Sequence, residues 1–180
     1  MVGTWYVGDL HSHSATYSDD ARRQGGDPID VTVRVAEAVG LDFLAGTDHR
    51  TNDVLTDPPF TSQTMALMRG MEWGGEMHAG AFGQNAPIAV SSTQSGAALV
   101  TEIDTIIADV HAKGGVFSLN HPVDKGKIWA VMPADFDAIE IWNGAWSMES
   151  YSKSEQSDLD KQMNDLGLTQ AGITNPHIQA

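Results

Sequence analysis

The sequence predicts an α/β fold, because short strand-like segments alternate with helix-like segments and no internal repeat is visible. The strand-like segments are mostly apolar, and the two clearest helices carry apolar residues at helical spacing. His49, His121 and His177 each come directly after a predicted strand, which is where α/β barrels collect their functional groups. We therefore expect an α/β layer or barrel that forms one domain over residues 1–180.

The first part of the chain contains a strand followed by a helix. The strand runs near Trp5 to His13. The helix begins at Asp27-Pro28, because Asp27 can cap it, Pro28 suits its first position and Asp30 completes a capping-box spacing. Gly40 ends this helix. Its predicted buried residues are Ile29, Val33, Ala36 and Val39.

The remaining elements follow from apolar runs and turn signals. Two prolines punctuate residues 57–63, which we interpret as a loop. A second helix begins at Thr101, and a polar segment from about Lys153 to Leu166 is also interpreted as helical. The residues that the second helix is expected to bury are Ile103, Ile106, Ile107 and Val110. The other predicted strands are Leu41–Gly46, Ala66–Trp73, His78–Gly83, Val116–Leu119, Ala138–Trp142 and Thr169–Thr174.

Composition narrows the possible functional classes. The chain has 180 residues, of which 41% are apolar, enough for one ordinary core. No apolar run is long enough to span a membrane and no secretory leader is visible, so we expect a cytoplasmic protein. A net charge of -14 argues against binding to a nucleic-acid backbone. Because the chain has no cysteine, any metal must be held by nitrogen and oxygen donors.

Two histidines of the first strand are the most closely spaced candidate ligands. Side chains alternate between faces along a strand, so His11 and His13 project to the same side and can bind one ion. Asp9 lies on that face too. Three polar side chains on one strand face are costly unless a metal or dense hydrogen bonds satisfy them, and we favour metal binding.

Among the other candidates, Glu72 is the hardest to explain without a cation. It lies in an apolar strand, where an isolated carboxylate is costly, and bridging two cations gives it a role. Asp19 and Asp20 lie in a turn-like segment, where either could instead act as a cap. His78 could lie on a loop surface. His111 lies within the second helix, and we interpret it as structural.

Together these motifs resemble the polymerase and histidinol phosphatase (PHP) superfamily of metal-dependent hydrolases. The resemblance extends over nearly the whole chain. The lead-in Trp5–Gly8 is most similar to the branch that includes carbaryl-type ester hydrolases. The segments that carry the resemblance are Gly8–Ser14 (GDLHSHS), Ser18–Asp20 (SDD), Gly40–His49 (GLDFLAGTDH), Gly70–Trp73 (GMEW), His78–Gly83 (HAGAFG), Asn120–Pro122 (NHP) and Ala138–Gly144 (AIEIWNG).

The resemblance implies a distorted (β/α)7 barrel, similar to a TIM barrel, with two or three divalent ions at the C-terminal ends of its strands. Histidine and carboxylate ligands are compatible with zinc, manganese and iron. Asp20 is the alternative to Asp19 if the loop is shifted by one residue. The implied ligands are His11, His13 and Glu72 for the first ion, Glu72, His78 and His121 for the second, and Asp19, His49 and His177 for the third.

The last motif departs from the family pattern. Family members usually end with Asp-x-His, whereas this chain has Asn175-Pro176-His177. An asparagine offers a carbonyl oxygen to a metal but no negative charge, so the first ion should be held less tightly. The chain ends three residues after His177, which leaves open a barrel shortened at its C-terminal end.

We expect Asn175→Asp to raise both metal occupancy and turnover, because it restores a carboxylate ligand. Elemental analysis of the wild-type and variant proteins measures the occupancy. Unchanged occupancy would mean that Asn175 does not correspond to the aspartate of the family motif.

The implied chemistry is the hydrolysis of a small phosphate mono- or diester by a metal-bridged hydroxide. The sequence has no Gly-x-Ser-x-Gly motif and no cysteine, so a covalent acyl route has no candidate nucleophile. The expected catalytic residues are Glu72, Arg50, which could bind the substrate phosphate, and Asp9, which could orient a ligating imidazole. The alternatives are a carboxylic or carbamate ester hydrolase with the same metal centre, and a catalytically weak metal-binding module of a larger assembly.

Overall fold

A six-stranded sheet organises the part of the chain that the structure, a computed structural model, describes: residues 4–75, 77–90, 96–122, 129 and 132–141. Its strands are β1 (Gly8–Ser12), β2 (Phe43–Gly46), β3 (Ala66–Trp73), β4 (Ala79–Phe82), β5 (Val116–Leu119) and β6 (Ala138–Ile139). Its helices are α1 (Asp19–Arg23), α2 (Ile29–Ala38) and α3 (Gly96–Ala112), with one 3-10 turn at Asp53–Leu55.

The strands are arranged in the order in which they occur along the chain. β1, β2 and β3 run parallel to one another, and β5 and β6 are also parallel. β4 runs antiparallel to both of its neighbours, β3 and β5. The α/β fold class is therefore confirmed, but the direction of β4 departs from the uniformly parallel sheet of a regular barrel.

The sheet curls so that its two outer strands approach each other at one end. Neighbouring strands are about 4.8 Å apart, so the outer strands of a flat sheet of this size would be about 24 Å apart. Instead, Nδ1 of His11 in β1 lies 2.9 Å from Oε1 of Glu140, the residue directly after β6. Among the described residues no strand pairing joins β1 to β6, so the six strands form half of a barrel and not a closed one. The complete (β/α)7 barrel stays a prediction.

Two apolar clusters support the two halves of the sheet. The larger lies where α3 packs on β3, β4 and β5, and it includes Trp73 and Phe117. The smaller lies between α2 and β2, and it includes Val33, Leu44 and Phe60. Both clusters lie against strands whose ends carry the candidate ligands, so core packing fixes the positions from which those side chains extend.

Most predicted elements are confirmed, with differences at their ends. The predicted buried residues of α2 and α3 are buried, except Val39, which is 70% exposed. α2 begins at Ile29 with Pro28 as its N-cap residue and has no side-chain cap, so the expected capping role of Asp27 is wrong. α3 begins at Gly96, five residues before the predicted start at Thr101. The predicted helix at 153–166 and strand at 169–174 lie outside the described residues.

None of the helices in the described ranges combines the length and apolar character that crossing a membrane requires.

Candidate metal centre

Among the described residues, five histidines meet at the end of the sheet where the parallel strands finish. β1 carries His11 and is directly followed by His13. His49 follows β2 by three residues, and His121 follows β5 by two. His78 instead comes directly before β4, because this strand runs in the opposite direction. The antiparallel strand therefore delivers its histidine from its N-terminal end to the same place.

Glu72 of β3 lies at the centre of these histidines and is 1% exposed. An isolated pairing with His49 keeps the backbone of Glu72 next to the end of β2. Oε1 of Glu72 is 2.9 Å from His11 Nε2, 3.0 Å from His121 Nε2, and accepts a hydrogen bond of 2.9 Å from Asn120 Nδ2. Oε2 is 3.0 Å from His49 Nδ1, 3.4 Å from His13 Nε2 and 3.4 Å from His78 Nδ1.

This arrangement gives Glu72 more nitrogen neighbours than a carboxylate can accept hydrogen bonds from. Six nitrogen atoms surround the carboxylate, which has only about four lone-pair positions. His78 Nδ1 is buried and, within the described residues, has no hydrogen-bond partner despite its proximity to Glu72. The donor set therefore fits divalent cations, which accept imidazole nitrogen and carboxylate oxygen as ligands together.

The electrostatics keep Glu72 and His13 in the forms that bind cations. Burial alone would raise the pKa of Glu72, but hydrogen bonds from the surrounding imidazoles hold it far below its usual range. Burial lowers the pKa of His13 to about 4, so this imidazole is neutral at neutral pH. Burial also lowers the pKa of His11, but hydrogen bonds to Glu140 and Glu72 outweigh it and raise that pKa to about 10. His11 must therefore release a proton when it binds a cation.

In the described part of the chain, three groups of side chains have ligand atoms within 4.8 Å of one another, so each could hold one ion. Glu72 belongs to two of them, as expected for a bridging carboxylate, and His49 also belongs to two. His11 and His13 contact opposite oxygens of Glu72 and fall in different groups. This grouping differs from the one that the resemblance implied. The groups are His11, Glu72 and His121; His49, Glu72 and His78; and His13, Asp20 and His49.

The acid that reaches the histidines is Asp20, and this corrects the expected position of Asp19. Asp20 Oδ2 lies 3.3 Å from His49 Nε2 and 3.8 Å from His13 Nδ1. Asp19 is the first residue of α1, its side chain is 75% exposed, and it forms an ion pair of 2.8 Å with Arg22. Successive helical residues point about 100° apart, so only one of two adjacent acids faces the cluster.

The remaining predicted site residues have varied positions. Asp9 accepts a hydrogen bond from the backbone N–H of His11, 2.8 Å long, instead of contacting an imidazole as expected. Arg50 follows His49 and lines a cavity beside the cluster. Asn175 and His177 lie outside the described residues, so their predicted metal binding stays a prediction.

Buried hydrogen bonds behind the cluster hold its loops in place. Burial raises the pKa of Asp48, although hydrogen bonds from Ser14 and Ser18 partly offset this effect. Its two oxygens accept hydrogen bonds from the backbone N–H (2.6 Å) and hydroxyl (2.8 Å) of Ser14. The Ser18 hydroxyl accepts a hydrogen bond of 2.8 Å from the backbone N–H of His49. Asp48 therefore fixes the loop after β1 and does not contact a ligating imidazole directly.

Two residues of the site had no role in the sequence prediction. Asn120 donates to Glu72, as described above, and Glu140 contacts His11. Glu140 was expected inside a strand that continued to Trp142, whereas β6 ends at Ile139. The shorter strand places Glu140 at a strand end, like the histidines. If the strand had been predicted to end at Ile139, the rule that functional side chains follow strand ends would also have identified Glu140.

These features define a buried histidine and carboxylate cluster whose ligand atoms suit divalent cations. No protein-family model matches the chain, and no curated protein matches it. The chain is similar to a solved structure from Bifidobacterium adolescentis named "putative metal-dependent phosphoesterase", with a TM-score of 0.53 and 15% identity over 90% of this chain and 85% of that one.

A second solved structure is a two-domain protein from Bacteroides vulgatus, described as containing a "predicted PHP-like metal-dependent phosphoesterase". Its TM-score is 0.40, with 21% identity over 69% of this chain and 39% of that one. The similarity to the Bifidobacterium adolescentis structure shows that the chain shares that protein's fold. The carbaryl-hydrolase branch stays a prediction.

Proposed function

We propose that the chain is a metal-dependent phosphoesterase that hydrolyses a small phosphate mono- or diester with two or three divalent ions. The observation that carries the proposal is the convergence of five histidines on the buried carboxylate of Glu72. The fold similarity to a protein named as a phosphoesterase supports the same conclusion. Zinc, manganese and iron all suit these ligands.

The size of a cavity beside the cluster suits a small substrate. Its volume is about 290 Å³, close to the lower end of the range for small-molecule sites. Its lining includes His49 and His78 of the cluster and two cationic side chains, Arg23 and Arg50. A phosphate group in this cavity would lie near both the cluster and the guanidinium groups.

The side chains of the site would have different roles in the proposed reaction. Divalent ions bound to the cluster would supply an activated water at neutral pH and neutralise charge that develops on oxygen. Glu72 would hold two ion positions at a fixed separation, because its two oxygens face different groups of histidines. Arg50 would orient the phosphate, since its backbone is fixed by a hydrogen bond of 2.9 Å from its N–H to the Glu72 carbonyl oxygen.

The proposal is tested with protein from which metal has been removed by chelation and then replaced by manganese or zinc. We expect turnover of p-nitrophenyl phosphate or bis-p-nitrophenyl phosphate that depends on the added metal. Faster turnover of p-nitrophenyl acetate would favour the alternative ester hydrolase. Metal binding without turnover of any of these substrates would contradict both enzyme functions and favour a metal-binding module.

A matched pair of histidine variants relates the turnover to the cluster. His121→Ala removes a ligand of one group, whereas His111→Ala removes an imidazole that pairs with Asp137 at 2.8 Å, outside the cluster. Only the first variant should lose metal and activity. Equal losses in both variants would indicate general destabilisation.

We expect Arg50→Ala to raise KM about 10-fold and to change kcat less, because it removes a charge-assisted contact with the phosphate. Steady-state kinetics with the phosphate substrate measure both constants. Arg34→Ala is the control, since Arg34 is an exposed residue of α2 paired with Asp30. An unchanged KM in Arg50→Ala would exclude Arg50 from substrate binding.

A further inference from the structure

We propose that Glu140 is a positioning residue that holds two metal ligands from distant strands of the sheet, His11 of β1 and His121 after β5, in their binding geometry. The inference rests on the proposed metal-binding function. Glu140 is not a member of any of the three candidate ligand groups among the described residues. Its role is therefore argued from the contacts that it makes with members of one group.

Each oxygen of Glu140 has a different partner. Oε1 lies 2.9 Å from Nδ1 of His11, and Oε2 accepts a hydrogen bond of 2.6 Å from the backbone N–H of His121. An ionised carboxylate can only accept hydrogen bonds, so the contact with His11 requires a proton on Nδ1. With a proton on Nδ1, the other ring nitrogen, Nε2, is the one that faces the ion position. Nε2 is 2.9 Å from Glu72 Oε1.

The contact with His121 acts on the backbone instead of the ring. His121 has a φ of 26°, in the left-handed region that residues other than glycine seldom adopt. Its N–H is fixed by Glu140 while its ring reaches Glu72 at 3.0 Å. Glu140 therefore supports an unusual backbone conformation that aims a second imidazole at the same Glu72 oxygen.

The short strand β6 provides an internal comparison. Asp137, directly before β6, also contacts one histidine ring and one backbone N–H: Oδ2 is 2.8 Å from His111 Nε2 and 2.7 Å from the Phe117 nitrogen. These partners lie in α3 and β5, away from the cluster. Asp137 and Glu140 thus make the same kinds of contact, but only Glu140 contacts candidate metal ligands.

The test compares Glu140→Gln with Asp137→Asn. In a glutamine side chain an NH2 group replaces one of the two oxygens of Glu140, and this group cannot accept the hydrogen bond that His11 or His121 donates at that position. Calorimetric titration of metal-free protein with Mn²⁺ or Zn²⁺ should show one ion bound about 10- to 100-fold more weakly in Glu140→Gln. Asp137→Asn should lower the midpoint of thermal unfolding but leave every metal affinity unchanged.

A second measurement needs no variant. In zinc-loaded wild-type protein, proton–nitrogen NMR correlation of the histidine rings should show His11 with a proton on Nδ1 and none on Nε2. A His11 ring without a proton on Nδ1 would overturn the proposal. Equal weakening of metal binding in Glu140→Gln and Asp137→Asn, or no weakening in Glu140→Gln, would also overturn it.

These results are independent of turnover. If wild-type protein binds metal but hydrolyses no phosphate ester, the proposed function fails while the affinity comparison still decides the role of Glu140. If wild-type protein binds no divalent metal, both proposals fail.

Discussion

Glu72→Gln is expected to abolish metal binding at two of the three candidate groups and to reduce kcat/KM about 1000-fold or more. Glu72 belongs to both of these groups, so its replacement removes an anionic ligand from each. The substitution keeps the size of the side chain but removes the charge that several cations would share. A neutral amide also brings an NH2 group against imidazole nitrogens that face Glu72 within 3.4 Å.

The loss is measured by elemental analysis and by steady-state turnover of the phosphate substrate. Glu37→Gln is the matched control, because Glu37 also accepts hydrogen bonds, from Ser62 and Thr64, at a place outside the cluster. Circular dichroism of both variants shows whether the fold is retained. A folded Glu72→Gln protein with wild-type metal content would contradict the assignment of Glu72 as the bridging ligand.

The sequence was sufficient to predict that His49 and His121 lie just after strands. Strand side chains alternate with a period of two, so the shared face of His11 and His13 followed from local spacing alone. The buried strand around Glu72 was equally clear, because a carboxylate in an apolar run is costly without partners. The predicted bounds of β3 and β5 agree with the structure.

Long-range pairing could not be predicted in the same way. The antiparallel direction of β4 is an exception, because only residues 74–78 separate β3 from β4. This connection is too short for the crossover that a parallel pair needs, so it could have indicated the direction. The role of Glu140 depends on the curl of the sheet, which brings β1 to the end of β6. The candidate groups of ligands likewise combine residues far apart in the chain and depend on this curl, so they differ from the grouping that the resemblance implied.

The choice between Asp19 and Asp20 depends on a single residue of helix α1. Both acids fit a turn in the sequence, and the family pattern favoured Asp19. The structure instead turns Asp20 toward His49 and His13 and pairs Asp19 with Arg22 in solvent. Asp20 also has an Oδ1 atom that is buried and, within the described residues, lacks a hydrogen-bond partner.

Asp20→Asn is therefore expected to lose one bound ion per chain and at least about 10-fold in turnover, whereas Asp19→Asn should lose neither. Burial raises the pKa of Asp20, but backbone hydrogen bonds and the nearby His13 and His49 rings outweigh this effect and lower it, so Asp20 is ionised at neutral pH. An asparagine at this position keeps the shape but removes the charge from the group that contains His13 and His49.

The two variants carry the same chemical change at adjacent positions, so each is the control for the other. Metal stoichiometry by mass spectrometry and turnover of the phosphate substrate are compared at equal protein concentration. We expect Asp19→Asn to have no effect in this comparison, because the exposed ion pair between Asp19 and Arg22 contributes little to stability. Loss of an ion from Asp19→Asn but not from Asp20→Asn would mean that the start of α1 is rotated by one residue when metal is bound.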